Sequence, residues 1–515
     1  MTAGAPPPAA GEAGLFRLRH LRIDTLREHV VMVHAAAVRE GNLGFNPLDR
    51  VYVVGEDPAT GAPREIIGVL NFCHDALVAP DEIGLSDIAF RDLGLPEGSA
   101  VRATIAATPR SLDHVRAKLA GGRLDRPAFD AILADVTRNR YSRLELAMFV
   151  LACALRTLDL DEIVAFTEAM VAAGSRLDFG SGPVADKHCI GGIPGNRTTM
   201  VLVPILAALG LRVPKTSSRA ITSPAGTADT MGVLAEVALP PARLHEVVAE
   251  AGACIAWGGA LDLAPADDIL ITVERPMEID TESQMVASIL SKKKTAGATH
   301  TLIDIPVGPT AKVRTAADAE RLASLFRAVA SRIGLAVEVE CTEARGPIGY
   351  GIGPRLEALD VLAVLRGEPG APVDLREKSL FLAGRLLEMI GAVTPAGGYR
   401  TAQRTLDSGD AWRAFERIVE AQGRKPFPPE APFRHLVPSP GDGRIREIHA
   451  WEIARVAKRA GAPANVAAGV RLRRSVGDVV ARGEPLFEIH AQSQAQLDFA
   501  RAYAESRPDL VRFGF

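Results

Sequence analysis

Apolar residues fall at helical spacing across residues 109–174. Ser142 and Glu145 form a capping-box pattern ahead of Leu146, Phe149, Val150 and Cys153, which make one apolar stripe. Ile163, Phe166, Met170 and Val171 repeat the stripe, and Gly174 stands where that helix would end. The preceding stretch, 15–107, has a different rhythm. Short β-type runs (VYVV at 51–54, IIGVL at 66–70) are broken by turn clusters at 56–58 and 60–63, which predicts a small β-rich domain, best a barrel. After residue 174 the two patterns alternate. Strands are predicted at 269–273 (ILITV), 302–305 (LIDI) and 337–340 (VEVE). A helix carrying Leu322, Leu325, Phe326, Val329 and Ile333 is closed by Gly334. Such alternation predicts an α/β sheet with packed helices, and the chain turns β-rich again from about 430. The division is a flexible tail at 1–14, a β-rich domain at 15–107, a helical domain at 108–174, an α/β domain at 175–425 and a β-rich domain at 430–515: an α/β multidomain fold.

Length supports several domains, since 515 residues exceed what one core usually serves. Lys and Arg number 59 against 62 Asp and Glu, a net charge of −3, which gives no footprint for nucleic acid or an acidic membrane surface. The apolar run at 200–211 is too short to cross a bilayer. The first residues, MTAGAPPPAAGEAG, lack the pattern of a signal peptide, so a cytoplasmic location is expected. Cys73, Cys153, Cys189, Cys254 and Cys341 show no metal-ligand spacing and no disulfide framework, and Cys153 reads as a small core hydrophobe. No metal site is expected.

Candidate chemistry gathers in the α/β region. In DKHCIGGIPGNRTT (186–199), glycines between a strand and an apolar helix let backbone N–H groups approach an anion. Lys187 adds a point charge, and Thr198 or Thr199 adds a hydroxyl. The spacing is not a P-loop, and it leaves two readings open: a phosphate cradle or an ordinary tight turn. A second cluster, KTSSRAITSPAGTAD (215–229), places hydroxyls and Arg219 after another strand-like run. Two loops of this kind in one α/β unit fit a ligand at the carboxyl ends of strands, though a solvated loop explains either one alone. Ser288 and Lys292 lie four apart, and so share one helix face.

The long match across 187–229, followed by ASILSKK at 287–293, is identified as the pattern of the thymidine phosphorylase family. It resembles most the branch holding AMP phosphorylases and bacterial type 2 thymidine phosphorylases, over nearly the whole chain. The resemblance implies a class II nucleoside phosphorylase: helical and α/β domains closing over substrate, a β-rich C-terminal domain, and a homo-oligomer of two or more subunits. It implies phosphorolysis of an N-glycosidic bond, with phosphate as co-substrate, a small-molecule nucleotide or nucleoside as partner, and no cofactor. By resemblance, Gly192, Ser218, Arg219, Ala220, Ile221, Thr222, Ser223, Thr227, Ser288 and Lys312 bind substrate, with Lys187 and Thr199 on phosphate. Asp280 carries over as the proton donor, which requires a carboxyl raised by burial.

The base is read from departures. Ala264 and Asp267 stand where pyrimidine-specific relatives carry a tyrosine and an arginine, and Cys189 stands where they carry a phosphate-binding serine. The expectation is therefore a nucleoside 5′-monophosphate, AMP, with thymidine as the alternative. Two remoter readings are a phosphoribosyltransferase, which lacks a convincing carboxylate pair for Mg²⁺, and a non-catalytic assembly or carrier protein. The latter is drawn from the turn at 476–486, which resembles a biotinyl or lipoyl hammerhead but lacks Met-Lys-Met. GPIGYGIG at 346–353 lacks the strand–glycine–helix order of a dinucleotide site.

Overall fold

The computed structural model describes all residues except 1–13, 26–27, 42, 221–222, 280 and 515. The expected tail thus lies outside the described residues up to 13, and Gly14 opens the first strand. The chain divides into two compact units: residues 1–173 with 265–285, and residues 174–264 with 286–515. No helix among the described residues is long and apolar enough to cross a membrane.

The first unit begins with six strands: β1 (Gly14–His20), β2 (Val30–His34), β3 (Arg50–Glu56), β4 (Pro63–Cys73), β5 (Glu82–Leu85) and β6 (Ala100–Ile105). They close into a barrel in the order β1-β5-β2-β4-β3-β6. Alternation along each strand turns Phe16, Leu18, Val31, Val33, Val51 and Val53 into its core. The helices Leu112–Leu119, Arg126–Thr137, Arg143–Leu155 and Leu160–Ala173 follow. The Ser142–Glu145 capping box is present, and the apolar stripes meet where Phe129 stacks on Phe166 at 4.8 Å and Phe149 meets it edge-on.

The segment expected as a strand at 269–273 is instead part of the helix Pro265–Met277, and it belongs to this first unit. Its buried residues, Ala266, Asp267, Leu270 and Val273, fall at helical spacing, and Asp267 and Asp268 favour the first turn. A run as short as ILITV is ambiguous by itself; here the flanking periodicity decides it.

In the second unit, β7 (Ala185–Cys189), β8 (Val213–Ser217), β9 (Ala253–Trp257), β10 (His300–Val307) and β11 (Ala336–Glu343) are all parallel. Their order is β11-β10-β7 and β8-β9, with β7 and β8 linked by a bridge from Val184 to Arg212. Strands 302–305 and 337–340 therefore form as expected, as does the helix Ala316–Arg332, with Gly334 just beyond it. The helix Thr198–Ala208 is buried on every face, which explains why its sequence shows no amphipathic stripe. The C-terminal part holds β12 (Gly351–Ile352), β13 (Phe433–Pro438), β14 (Gly443–Ile448), β15 (Gly469–Leu472), β16 (Val479–Val480), β17 (Pro485–Ala491) and β18 (Val511–Gly514). Two sheets, β12-β15-β17-β13 and β16-β14-β18, share one core with the helices Ala450–Arg459 and Gln494–Glu505.

Candidate functional site

Both predicted loops leave the carboxyl ends of neighbouring parallel strands, where open α/β sheets bind ligands. The first leaves β7. Gly191, Gly192 and Gly195 have φ of 91°, 89° and 74°, so the turn needs glycine at each. At Gly192 the backbone also passes close to Lys312: an added Cβ would lie 2.9 Å from the Lys312 N and Cβ. The fold thus brings these two predicted residues together. The loop ends at the Thr198 helix, whose first N–H groups lack intrahelical partners.

Lys187 points inward, 1% exposed, and its Nζ donates to Thr198 Oγ1 at 2.9 Å and lies 3.3 Å from Asp304 Oδ2. Thr198 is therefore the hydroxyl beside Lys187, while Thr199 is the next buried residue of the helix. Cys189 Sγ accepts from Asn196 Nδ2 at 3.2 Å and from the Gly191 N–H at 3.4 Å. Burial pushes its thiol up, so it stays protonated at neutral pH.

The second loop leaves β8. Asp229 Oδ2 accepts from the Ala220 and Gly226 N–H groups at 2.6 and 2.9 Å, which folds the loop on itself. Gly226 approaches so closely that a Cβ would meet the Ser218 carbonyl at 2.5 Å. Ser218 and Arg219 are exposed, and the Arg219 guanidinium sits 4.6 Å over the Trp257 ring. Ser223 Oγ donates to the Ala225 carbonyl at 2.8 Å. Ile221 and Thr222 lie outside the described residues, as does Asp280. Arg197 ties the loops together: it donates to Thr227 Oγ1 at 2.9 Å and to the Ala225 carbonyl at 2.6 Å, and it pairs with buried Glu357. On the helix Glu282–Thr295, Lys292 Nζ donates to Ser288 Oγ at 3.4 Å, the predicted one-turn pair.

Residues 112–174 match the helical bundle domain of the glycosyl transferase family, and residues 181–412 match its a/b domain. Residues 444–507 match the C-terminal domain of pyrimidine nucleoside phosphorylases. A protein of Polaromonas sp. named "Putative thymidine phosphorylase" is 50% identical over 496 residues, 96% of each chain. One of the same name from Rhodopseudomonas palustris is 51% identical over 490 residues, 95% of this chain and 94% of that one. The chain belongs to the thymidine phosphorylase family. As a member it is a pentosyltransferase of the nucleoside phosphorylase class. The fold extends further: anthranilate phosphoribosyltransferase from Thermus thermophilus superposes with a TM-score of 0.51 at 22% identity, over 60% of this chain and 99% of that one.

Sequence reasoning missed what lies beneath the loops of this family member. Asp186 Oδ1 is 3.3 Å from Lys215 Nζ, and its Oδ2 accepts from Lys293 Nζ at 2.5 Å. Asp304 Oδ2 lies 3.3 Å from Lys187 and 3.1 Å from Lys378, while its Oδ1 accepts from Thr342 Oγ1 at 2.7 Å. Burial alone would raise the Asp304 carboxyl; Lys187 and then Lys378 outweigh it and hold it at about 2. Burial lowers Lys215 more than Asp186 raises it, and Lys293 lowers it further, to about 7. His188, above this floor, is pushed well down by burial and by Lys293, Lys215, Lys292 and Lys187, so its imidazole is neutral. A signal was available: charged residues embedded in apolar strand runs, Asp304 within LIDI and Lys215 after VP.

Proposed function

We propose that this phosphorylase acts on a nucleoside 5′-monophosphate, AMP for preference, giving the free base and ribose 1,5-bisphosphate. Inorganic phosphate sits at the 190–197 loop, near Lys187, Gly192 and the Thr198–Thr199 helix start. A phosphate oxygen attacks C1′ as the C1′–N bond breaks, and the bonding pair leaves with the base, which takes a proton from Asp280. The loop hydroxyls and Ser288 hold the nucleotide, and the oxocarbenium-like centre gains from a phosphate fixed in place.

The observation that carries the nucleotide reading is that cations lie in two tiers. The buried floor holds four lysines on two aspartates, a positive surplus that one phosphate would use. Half-buried Lys312, against Gly192, and exposed Arg219, on Trp257, add the further cations that a 5′-phosphate would use. Ala264 and Asp267, each 3% exposed, are too small and of the wrong charge to replace a tyrosine and an arginine on thymine. A second reading, thymidine as substrate, is favoured by the names of the relatives.

The test is phosphate-dependent base release from AMP, CMP, UMP, adenosine, thymidine and uridine without added metal. Release from nucleotides and not nucleosides supports the first reading; release from thymidine alone replaces it with the second. Asp280→Asn lowers kcat about 10²–10⁴-fold if Asp280 supplies the proton, and full turnover by that variant removes it from the role.

A further inference from the structure

We infer that Lys378 is a positioning residue for phosphate: by sharing the Asp304 carboxylate with Lys187, it leaves the Lys187 charge uncancelled at the foot of the glycine loop. This rests on the reading that phosphate sits at that loop. Lys378 itself does not touch the anion.

Lys187 and Asp304 are 1% and 0% exposed at their side chains, and 3.3 Å apart. One buried ammonium facing one buried carboxylate is neutral as a pair, so by itself it draws an anion weakly. The helix Val373–Met389 resolves this by sending in Lys378, whose Nζ lies 3.1 Å from the same Oδ2 and whose side chain is 10% exposed. Two ammonium groups now share one carboxylate, and the cluster carries one surplus positive charge.

Folding gives no reason for this second lysine. Asp304 already has Lys187 on one oxygen and the Thr342 hydroxyl on the other. A further buried ammonium adds a desolvation cost that an apolar side chain would avoid. Its chain neighbours Arg376 and Glu377 pair with each other and with Asp407 and Tyr399 instead. The arrangement also recurs: Asp186, on the neighbouring strand, is shared by Lys215 and Lys293. Two carboxylates, on β7 and β10, with four lysines leave a positive surplus suited to a phosphate anion.

The test exploits charge arithmetic, with the nucleotide or nucleoside that the enzyme turns over held saturating and phosphate varied. Lys378→Met should raise the KM for phosphate about 10- to 100-fold with the KM of the other substrate unchanged. Lys378→Arg should stay near the native value. The double variant Lys378→Met with Asp304→Asn restores a lone Lys187 charge, and should recover most of the lost phosphate affinity. A merely structural role predicts the reverse, because the second lesion would add to the first. An unchanged phosphate KM in Lys378→Met, or a double variant no better than it, overturns the inference. If Lys378→Met does not fold, Lys378→Gln carries the same comparison. Lys187→Met separates the two levels: an unchanged phosphate KM there defeats the placement of phosphate. A change there without one at Lys378 defeats this inference alone.

Discussion

Each unit buries a lysine–carboxylate cluster, and the two differ in stoichiometry. In the helical part of the first unit, Lys118 meets Glu162 at 2.7 Å with side chains 4% and 3% exposed. Both Glu162 oxygens also accept from backbone, Oε1 from the Leu124 N–H at 2.8 Å and Oε2 from the Asp159 N–H at 3.0 Å. That cluster is neutral and saturated, and it joins the helices Leu112–Leu119 and Leu160–Ala173. Beneath the loops of the second unit, each aspartate serves two lysines. A closed pair holds a scaffold; a surplus of like charge held under accessible loops is costly for the scaffold and useful only to an anion.

The widest separation comes from deleting one lysine in each. Lys187→Met leaves Asp304 still paired with Lys378, so the second unit stays folded, while the proposed phosphate site loses the Lys187 charge. Phosphorolysis should fall about 10²–10³-fold with little change in Tm. Lys118→Met inverts the outcome. It strands a buried Glu162 carboxylate, which costs about 3–5 kcal/mol, on the order of 10 °C in Tm for a unit of this size, with kcat/KM per folded molecule unchanged. Melting curves and steady-state rates on the same preparations decide it: a Lys187→Met that melts like Lys118→Met would make both clusters scaffolding.

A smaller effect distinguishes the glycine turns. Gly192 and Gly483 have nearly the same φ, 89° and 86°, so alanine is strained at either. Only at Gly192 does the new Cβ collide, with Lys312, whereas at Gly483 nothing lies within 4 Å. Gly192→Ala should weaken phosphate binding about tenfold by displacing the loop from Lys312, a cost of about 1.4 kcal/mol in affinity. Gly483→Ala should cost only about 1–2 kcal/mol of stability. Equal phosphate KM values in the two variants would remove Gly192 from the cradle.

How far the sequence reaches follows from the same contrast. The capping box at Ser142, the stripes through Phe149 and Phe166, and the strands around Ile303 and Val339 were legible because each is a local pattern. The segment 269–273 reads as a strand because four apolar residues and a threonine carry no period of their own. Lys187 was legible as a candidate, but its partner is not. Lys378 lies 74 residues beyond Asp304 on a helix with its own exposed charges, and only the packing of that helix on β10 brings the two together. Arg197, read as one more residue of the glycine loop, turns out to bridge it to Thr227 and Glu357.

The subtlest prediction uses Lys215, whose ammonium sits at about 7 against an ordinary 10.5. It faces Asp186 on β7, Lys293 on the helix Glu282–Thr295 and the Cys254 thiol, which burial pushes up. One group then drives two opposite pH dependences. Between 7 and 10.5 the unfolded chain holds the Lys215 proton and the folded chain does not, so stability rises with pH across that window. Below 7 both states are protonated, and the cost of burying the charge is felt in full. Anion affinity runs the other way, because the floor loses one of its surplus charges as pH rises through 7. Sulfate, whose own charge is constant here, isolates this effect as a competitor of phosphate. Its inhibition should weaken several-fold from pH 6 to pH 8.5 in the native enzyme, consistent with one charge lost at short range. In Lys215→Met the inhibition should be weak and flat over the same range. His188 adds nothing to that slope, since its imidazole is already neutral there. A variant that keeps the native slope would place the titrating charge elsewhere and reduce the Asp186 cluster to the kind of closed pair found at Glu162.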